Sequence, residues 1–425
     1  MQKNQFASQK PPQEFANPVV RVYRGFRRII GWLVGPRLSR FIPVKKNQII
    51  FVTQDDEYCC NPKFICEELL KRPEAKELKI FFTTRGESYS EYPPQVNTVV
   101  RGRMKYYLAV FSSKYIVVNS VLFTKVPFTI KKSQVMIQTW HGSLGIKRFG
   151  EADYKTSTEW VKAAKYCGAH TNYIISNSTF EDFVYRDTFW KDTPIWQYGH
   201  PRNDFFFEQY EQMRKDLRNQ FADAFGLPRD RRFVLYAPTF RDSKDLSFYE
   251  LDVPRLLQAL KEKFGGEWTF LFRLHPTMRR LIFETPIYQT DDVNVIDASN
   301  YHDMQELMTF ADVAITDYSS WIYDYIMLRR PGFIYATDVK DYETERGFYY
   351  PLKETPFAIA QNMDELCDAI QAFDDAAYQA EVEAFIAGKG CMDDGQASRR
   401  TVDSLLEIMR TNGAFGEITV KSNQE

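Results

Sequence analysis

Short apolar runs alternate along most of the chain with stretches whose apolar residues recur three and four positions apart. The first is a strand pattern and the second a helical one, and their alternation predicts a doubly wound α/β fold. Strands are expected at Gln48–Thr53, Leu78–Thr83, Tyr115–Asn119, Val135–Thr139 and Tyr173–Ser176. A second series follows at Phe233–Ala237, Trp268–Arg273, Val293–Asp297, Val313–Thr316 and Pro331–Tyr335. Pro62–Leu70 reads as a helix, with Asn61 available as its cap and Pro62 at the first helical position. The polar stretch Glu208–Arg232 marks a join, so the expected division is a leading segment 1–46 and two α/β domains, 47–210 and 211–425. Two halves of similar size imply a cleft, and open α/β sheets take ligands at the carboxyl ends of their strands.

The leading segment differs from the rest in charge. Between Glu14 and Asp55 there is no acidic residue, yet Arg21, Arg24, Arg27, Arg28, Arg37, Arg40, Lys45 and Lys46 lie there. Val19, Tyr23, Phe26, Ile30 and Leu33 share one helical face, Arg21, Arg24 and Arg28 fall on another, and Trp32 adds interfacial weight. A cationic amphipathic helix of this kind lies in the headgroup region of an anionic leaflet, each basic residue contributing on the order of 1 kcal/mol. The competing reading is a helix packed on the protein's own body, its basic face in water. Arginines interrupt the apolar run, which argues against both a signal peptide and a membrane span. The expectation is peripheral attachment to an anionic membrane surface, on its cytoplasmic face.

Over the whole chain, 55 Lys+Arg balance 56 Asp+Glu. No global field for nucleic acid is expected, and anion binding must come from local clusters. The six cysteines form no paired Cys-x-x-Cys sets, and such sparse use suggests reduced thiols packed in the core.

Candidate chemistry sits at strand ends. Val135-Met-Ile-Gln-Thr-Trp140 runs straight into His141-Gly142-Ser143-Leu144-Gly145. An imidazole held there can serve as a general base, or it can be a histidine hydrogen-bonded into the core; position alone leaves both open. After Trp268–Arg273, the residues Arg273 and His275 alternate along an extended chain and can face one side, offering donors to a pyrophosphate. Asp317-Tyr318-Ser319-Ser320 reads as a turn opening a helix, and spacing does not separate a cap from a phosphate site. Thr239 and Arg241 close another strand, and Gly199–Asp204 and Asp393–Arg400 complete the set.

In this order the motifs resemble the CDP-glycerol glycerophosphotransferase family of teichoic-acid and capsule synthesis. The matching residues are Gln138-Thr-Trp-His141-Gly142, Gly199-His-Pro201-Arg202-Asn-Asp204 and Tyr236-Ala-Pro-Thr239-Phe-Arg241-Asp242. They continue with Arg273-Leu-His275-Pro276, Ile315-Thr-Asp317-Tyr-Ser319-Ser320, Arg346-Gly347-Phe-Tyr-Tyr350 and Asp394-Gly-Gln-Ala397-Ser-Arg-Arg400; Asn61-Pro62-Lys63 fits an early segment. The resemblance implies two Rossmann-like domains facing a central cleft (GT-B-like), the donor nucleotide lying mainly on the second. It implies transfer of glycerol phosphate from CDP-glycerol to a lipid-linked polyol-phosphate or glycan acceptor, with CMP released. His141 is then the general base and His275 a second catalytic group. Arg273, Thr239, Arg241, Ser319 and Ser320 hold the pyrophosphate, Asp317 fixes the turn or meets the donor, and Gly142, Arg202, Asp394 and Arg400 are further candidates. No cofactor is required by the sequence, which shows no metal-ligand cluster; Mg²⁺ carried in by the donor is compatible with it. CDP-ribitol transfer, a sugar-nucleotide glycosyltransferase and a non-catalytic assembly subunit are the alternatives.

Overall fold

A computed structural model describes residues 39–86, 91–122, 129–148, 158–241, 247–274, 288 and 294–415. The basic segment expected over 1–46 lies outside these residues up to position 38, and His275 lies outside them as well.

Two all-parallel sheets form. The first contains β1 (Lys45–Val52), β2 (Lys79–Thr84), β3 (Val96–Val100), β4 (Ser113–Val118), β5 (Val135–Gln138), β6 (Tyr173–Ser176) and β7 (Ile195–Gln197), in the order β3-β2-β1-β4-β5-β6-β7. The second contains β8 (Arg232–Tyr236), β9 (Trp268–Phe272), β10 (Val295–Asp297), β11 (Val313–Thr316), β12 (Gly332–Tyr335) and β13 (Ala358–Ala360), in the order β10-β9-β8-β11-β12-β13. Parallel strands covered by helices on both faces read as continuous apolar runs. Trp268–Phe272 and Val313–Thr316 are buried at every position, which is why the apolar pattern marks them.

The strand order reverses between β1 and β4 in the first sheet and between β8 and β11 in the second. Such switch points open crevices at the carboxyl ends of strands. Three strands carry no expectation from the sequence: β3, β7 and β13, each at a sheet edge. An edge strand needs less apolar surface, and Val96–Val100 exposes two successive polar positions, Asn97 and Thr98, instead of running apolar.

The helix expected at Pro62 begins at Cys60, and Asn61 does not cap it: the N-cap residue is Cys59, with no side-chain cap hydrogen bond. Asn61 is fully buried, and its amide is spent elsewhere, as described below.

The helix Glu211–Phe225 packs Phe221 and Ala222 against Phe233 and Phe310, on the second sheet. The helix Ala397–Thr411 returns to the first sheet, burying Val402, Leu405, Leu406 and Met409 with Ile49, Phe51, Ile137 and Ile175. Among the described residues no helix is long and apolar enough to cross a membrane.

Candidate active site

β5 ends at Gln138, and the chain turns at Trp140, whose φ of 47° is a left-handed value that costs a bulky residue on the order of 1–3 kcal/mol. The turn is held from several sides. Asn61 Nδ2 donates to the carbonyls of Thr139 (3.1 Å) and Trp140 (3.2 Å). The Trp140 amide donates to Gln138 Oε1 at 2.9 Å. The product of this strain is the placement of His141.

The imidazole Nδ1 of His141 lies 2.5 Å from the Asn119 carbonyl at the end of β4. A carbonyl can only accept, so Nδ1 carries the proton and Nε2 keeps its lone pair, the tautomer that a general base needs. Burial holds the imidazole below its ordinary value of 6.5, with Arg202 and Lys147 acting in the same direction and the Asn119 carbonyl and Asp55 opposing. The ring is therefore neutral at pH 7.

The loop that follows crosses to the second sheet. Leu144 and Ile146 are buried in the same core as Phe233, Tyr323 and Tyr350. Tyr349 N donates to the Ile146 carbonyl at 2.7 Å, and Arg148 N to the Gly347 carbonyl at 3.2 Å. Gly145 passes so close to the Ser319–Ser320 turn that an added Cβ would sit 2.8 Å from Ser320 Cβ. The His141 loop and the Ser319–Ser320 turn thus meet.

On the second sheet, β8 and β11 end side by side. Asp317 Oδ1 accepts from Thr239 N (2.8 Å) and Tyr318 N (2.5 Å), and its Oδ2 pairs with Arg241 at 2.8 Å. Arg241 also makes a two-point contact with Asp338, at 2.7 and 3.0 Å. Burial works against its charge, but the bond with Asp338 and the nearby carboxylates outweigh that and raise its pKa. The hydroxyl oxygen of Thr239 is buried without a hydrogen-bond partner among the described residues.

Arg273, after β9, is placed differently. Its Nη1 donates to the Tyr301 carbonyl at 2.9 Å, and among the described residues no carboxylate stands within ion-pair distance. Burial lowers its pKa, with Asp55, Cys59 and Asp303 only partly opposing. Asp55, in the loop after β1, favours the charged form of both His141 and Arg273.

Among the other candidates, Arg202 is buried, donates Nη2 to the Gly142 carbonyl at 2.5 Å, and pairs with Asp324 at 2.9 Å. Asp394 and Arg400 pair with each other at the surface. His200, given no role, is fully buried with Nε2 2.9 Å from Glu181 Oε2. Among the described residues no cluster of three or more His, Cys, Asp or Glu side chains is arranged to hold a metal ion. Sequence reasoning passed over Asn119, Asp324 and Asp338. Asp324 did leave a signal: it is a lone carboxylate inside the aromatic run Trp321–Tyr325.

The family model described as CDP-Glycerol:Poly(glycerophosphate) glycerophosphotransferase matches residues 36–407. The chain is 29% identical over 379 residues to a teichoic acid glycerol-phosphate transferase of Staphylococcus aureus, covering 85% of this chain and 93% of the relative. It is also 29% identical over 376 residues to a teichoic acid poly(ribitol-phosphate) polymerase of Bacillus spizizenii, covering 86% of this chain and 57% of the relative. It spans about half the length of several curated relatives that it matches. A solved variant of the wall teichoic acid polymerase TagF, with a histidine replaced by asparagine and soaked with CDPG, superposes with a TM-score of 0.75. That pair is 25% identical, over 93% of this chain and 99% of the other.

Proposed function

This chain belongs to the CDP-glycerol:poly(glycerophosphate) glycerophosphotransferase family, and from that premise we propose that it moves glycerol phosphate from CDP-glycerol to a hydroxyl of a lipid-linked cell-surface acceptor, releasing CMP. The observation that carries the reading is His141 with Nδ1 tied to the Asn119 carbonyl and Nε2 left basic, on a loop that meets the Ser319–Ser320 turn. In the reaction, Nε2 takes the proton of the acceptor hydroxyl as its oxygen bonds to the glycerol-bearing phosphorus. The bond from that phosphorus to the CMP oxygen breaks, and the leaving phosphate carries away the electron pair.

Arg273 supplies the positive charge that stabilises the departing phosphate, with the Thr239 hydroxyl, Ser319, Ser320 and His275 completing the donor site. Asp317 and Arg241 shape that site from beneath. Any Mg²⁺ would arrive bound to the donor's phosphates, where it would add to the charge neutralisation.

The two sheets, each with its own switch point and packed together through the His141 loop, support a GT-B-like pair of domains, 47–210 and 211–425. The acid-free stretch 15–54 supports attachment to the cytoplasmic face of an anionic membrane. Equal identity to a glycerol-phosphate transferase and a ribitol-phosphate polymerase makes CDP-ribitol the second reading of the donor.

The test is incubation with CDP-glycerol or CDP-ribitol and lipid-linked acceptors, scoring CMP release. CDP-glycerol should be consumed, and His141→Ala should lower turnover by about 10²–10⁴-fold with donor affinity kept. Full turnover by that variant removes the base assignment, and consumption of CDP-ribitol alone moves the donor to the second reading.

A further inference from the structure

The peptide that carries His141 is tied on both sides. Asn61 holds the carbonyl before it, that of Trp140, and Arg202 holds the carbonyl after it, that of Gly142. Asn61 Oδ1 in turn accepts from Arg202 N at 3.1 Å, so the two ties brace each other.

Arg202 does more than close this brace. Its Nε donates to Asp324 Oδ2 at 2.9 Å, and the neighbouring Asn203 Nδ2 donates to Asp324 Oδ1 at 3.1 Å. Asp324 lies in the helix Trp321–Tyr325, which starts directly after Ser319–Ser320. One guanidinium thus spans from the residue beside the base to the element beside the donor turn. Its fork geometry allows both contacts at once, which a lysine cannot reproduce.

Arg202 is 3% exposed and Asp324 2%, so the pair is dry. Buried ion pairs add little net stability over an apolar pair of similar volume, and registry is their best-attested use. We infer that Arg202 and Asp324 are a positioning pair: they set the His141 turn of the first sheet in register with the Ser319–Ser320 turn of the second, without touching substrate. The inference rests on the reading of His141 as the base.

Charged groups that act on His141 include Arg202, Lys147 on its own loop, and Asp55 from the loop after β1. Arg202 and Lys147 disfavour the protonated ring and Asp55 favours it. Loss of the Arg202 charge therefore raises the pH at which the base becomes active, whereas loss of registry alone does not move it.

The test measures CMP release from CDP-glycerol against pH for wild type, Arg202→Lys, Arg202→Gln and Asp324→Asn, with thermal melting as a folding control. Arg202→Lys and Asp324→Asn should lower kcat by about 10²-fold with KM for CDP-glycerol little changed, the size expected of a small misplacement. Arg202→Gln should add a shift of the acidic limb of kcat/KM to higher pH, and Arg202→Lys should leave that limb in place. Wild-type kcat in the lysine and asparagine variants overturns the inference. Should the glutamine variant fail to fold, Asp324→Asn and Arg202→Lys decide alone. His141→Ala separates the two claims. Its full activity defeats the base reading, while its inactivity beside wild-type Arg202→Lys and Asp324→Asn defeats only the positioning pair.

Discussion

At the carboxyl end of β8, Arg241 is held by two anions, Asp317 and Asp338, and by the Thr239 carbonyl. At the carboxyl end of the neighbouring β9, Arg273 donates to the Tyr301 carbonyl, and among the described residues no carboxylate lies within ion-pair distance. The two cations sit on adjacent strands and have opposite electrostatics, Arg241 raised and Arg273 lowered from the ordinary guanidinium value. A guanidinium whose donors are spent on carboxylates holds a fold together. One with no carboxylate in ion-pair reach among the described residues keeps donors for an arriving anion, and a diphosphate is such an anion.

The comparison can be broken by exchanging the two roles. The largest effect is expected at the saturated site: Arg241→Met leaves Asp317 and Asp338 without their counter-charge and should cost about 3–5 kcal/mol of stability, read by denaturant unfolding. Arg273→Met should do the reverse. It removes a charge that desolvation disfavours, so stability holds or rises, while CDP-glycerol affinity by calorimetry falls by about 1.5–3 kcal/mol. A melting temperature that drops sharply with affinity unchanged would mean that Arg273 is structural after all.

Thr239→Val sharpens the picture on a smaller scale. Its hydroxyl has no partner to lose among the described residues, so stability should stand and donor affinity fall by about 0.5–1.5 kcal/mol. The mildest effect lies on the pH axis. Burial lowers the His141 pKa, so the basic form persists below pH 6.5 and the acidic limb of kcat/KM should fall below that value. A limb above 6.5 would assign the titration to another group.

How far the sequence reveals this depends on the element. Buried central strands such as Phe233–Ala237 and Val313–Thr316 announce themselves because both faces are covered, and the observed strands, Arg232–Tyr236 and Val313–Thr316, differ by a residue at most. The edge strands β3, β7 and β13 do not, since half of their surface faces outward or the strand is three residues long. At the site, His141, Arg273 and Asp317 are legible as polar residues at strand ends. Their differing states are not. Whether an arginine is paired depends on carboxylates distant in sequence: Asp338 is 97 residues from Arg241, and Asp324 is 122 from Arg202. Asn61 shows the same limit. Its type and place suit a helix cap, yet folding turns its amide to the Thr139 and Trp140 carbonyls, a contact that local spacing cannot reveal.

The account stands on one diphosphate bridging the two sheets, and a crystal structure of the His141→Ala variant with CDP-glycerol measures that directly. It predicts the pyrophosphate within hydrogen-bond distance of the Arg273 guanidinium, with the glycerol-bearing phosphorus facing the vacated imidazole position. A donor bound away from Arg273, or with its phosphorus turned from residue 141, would contradict it.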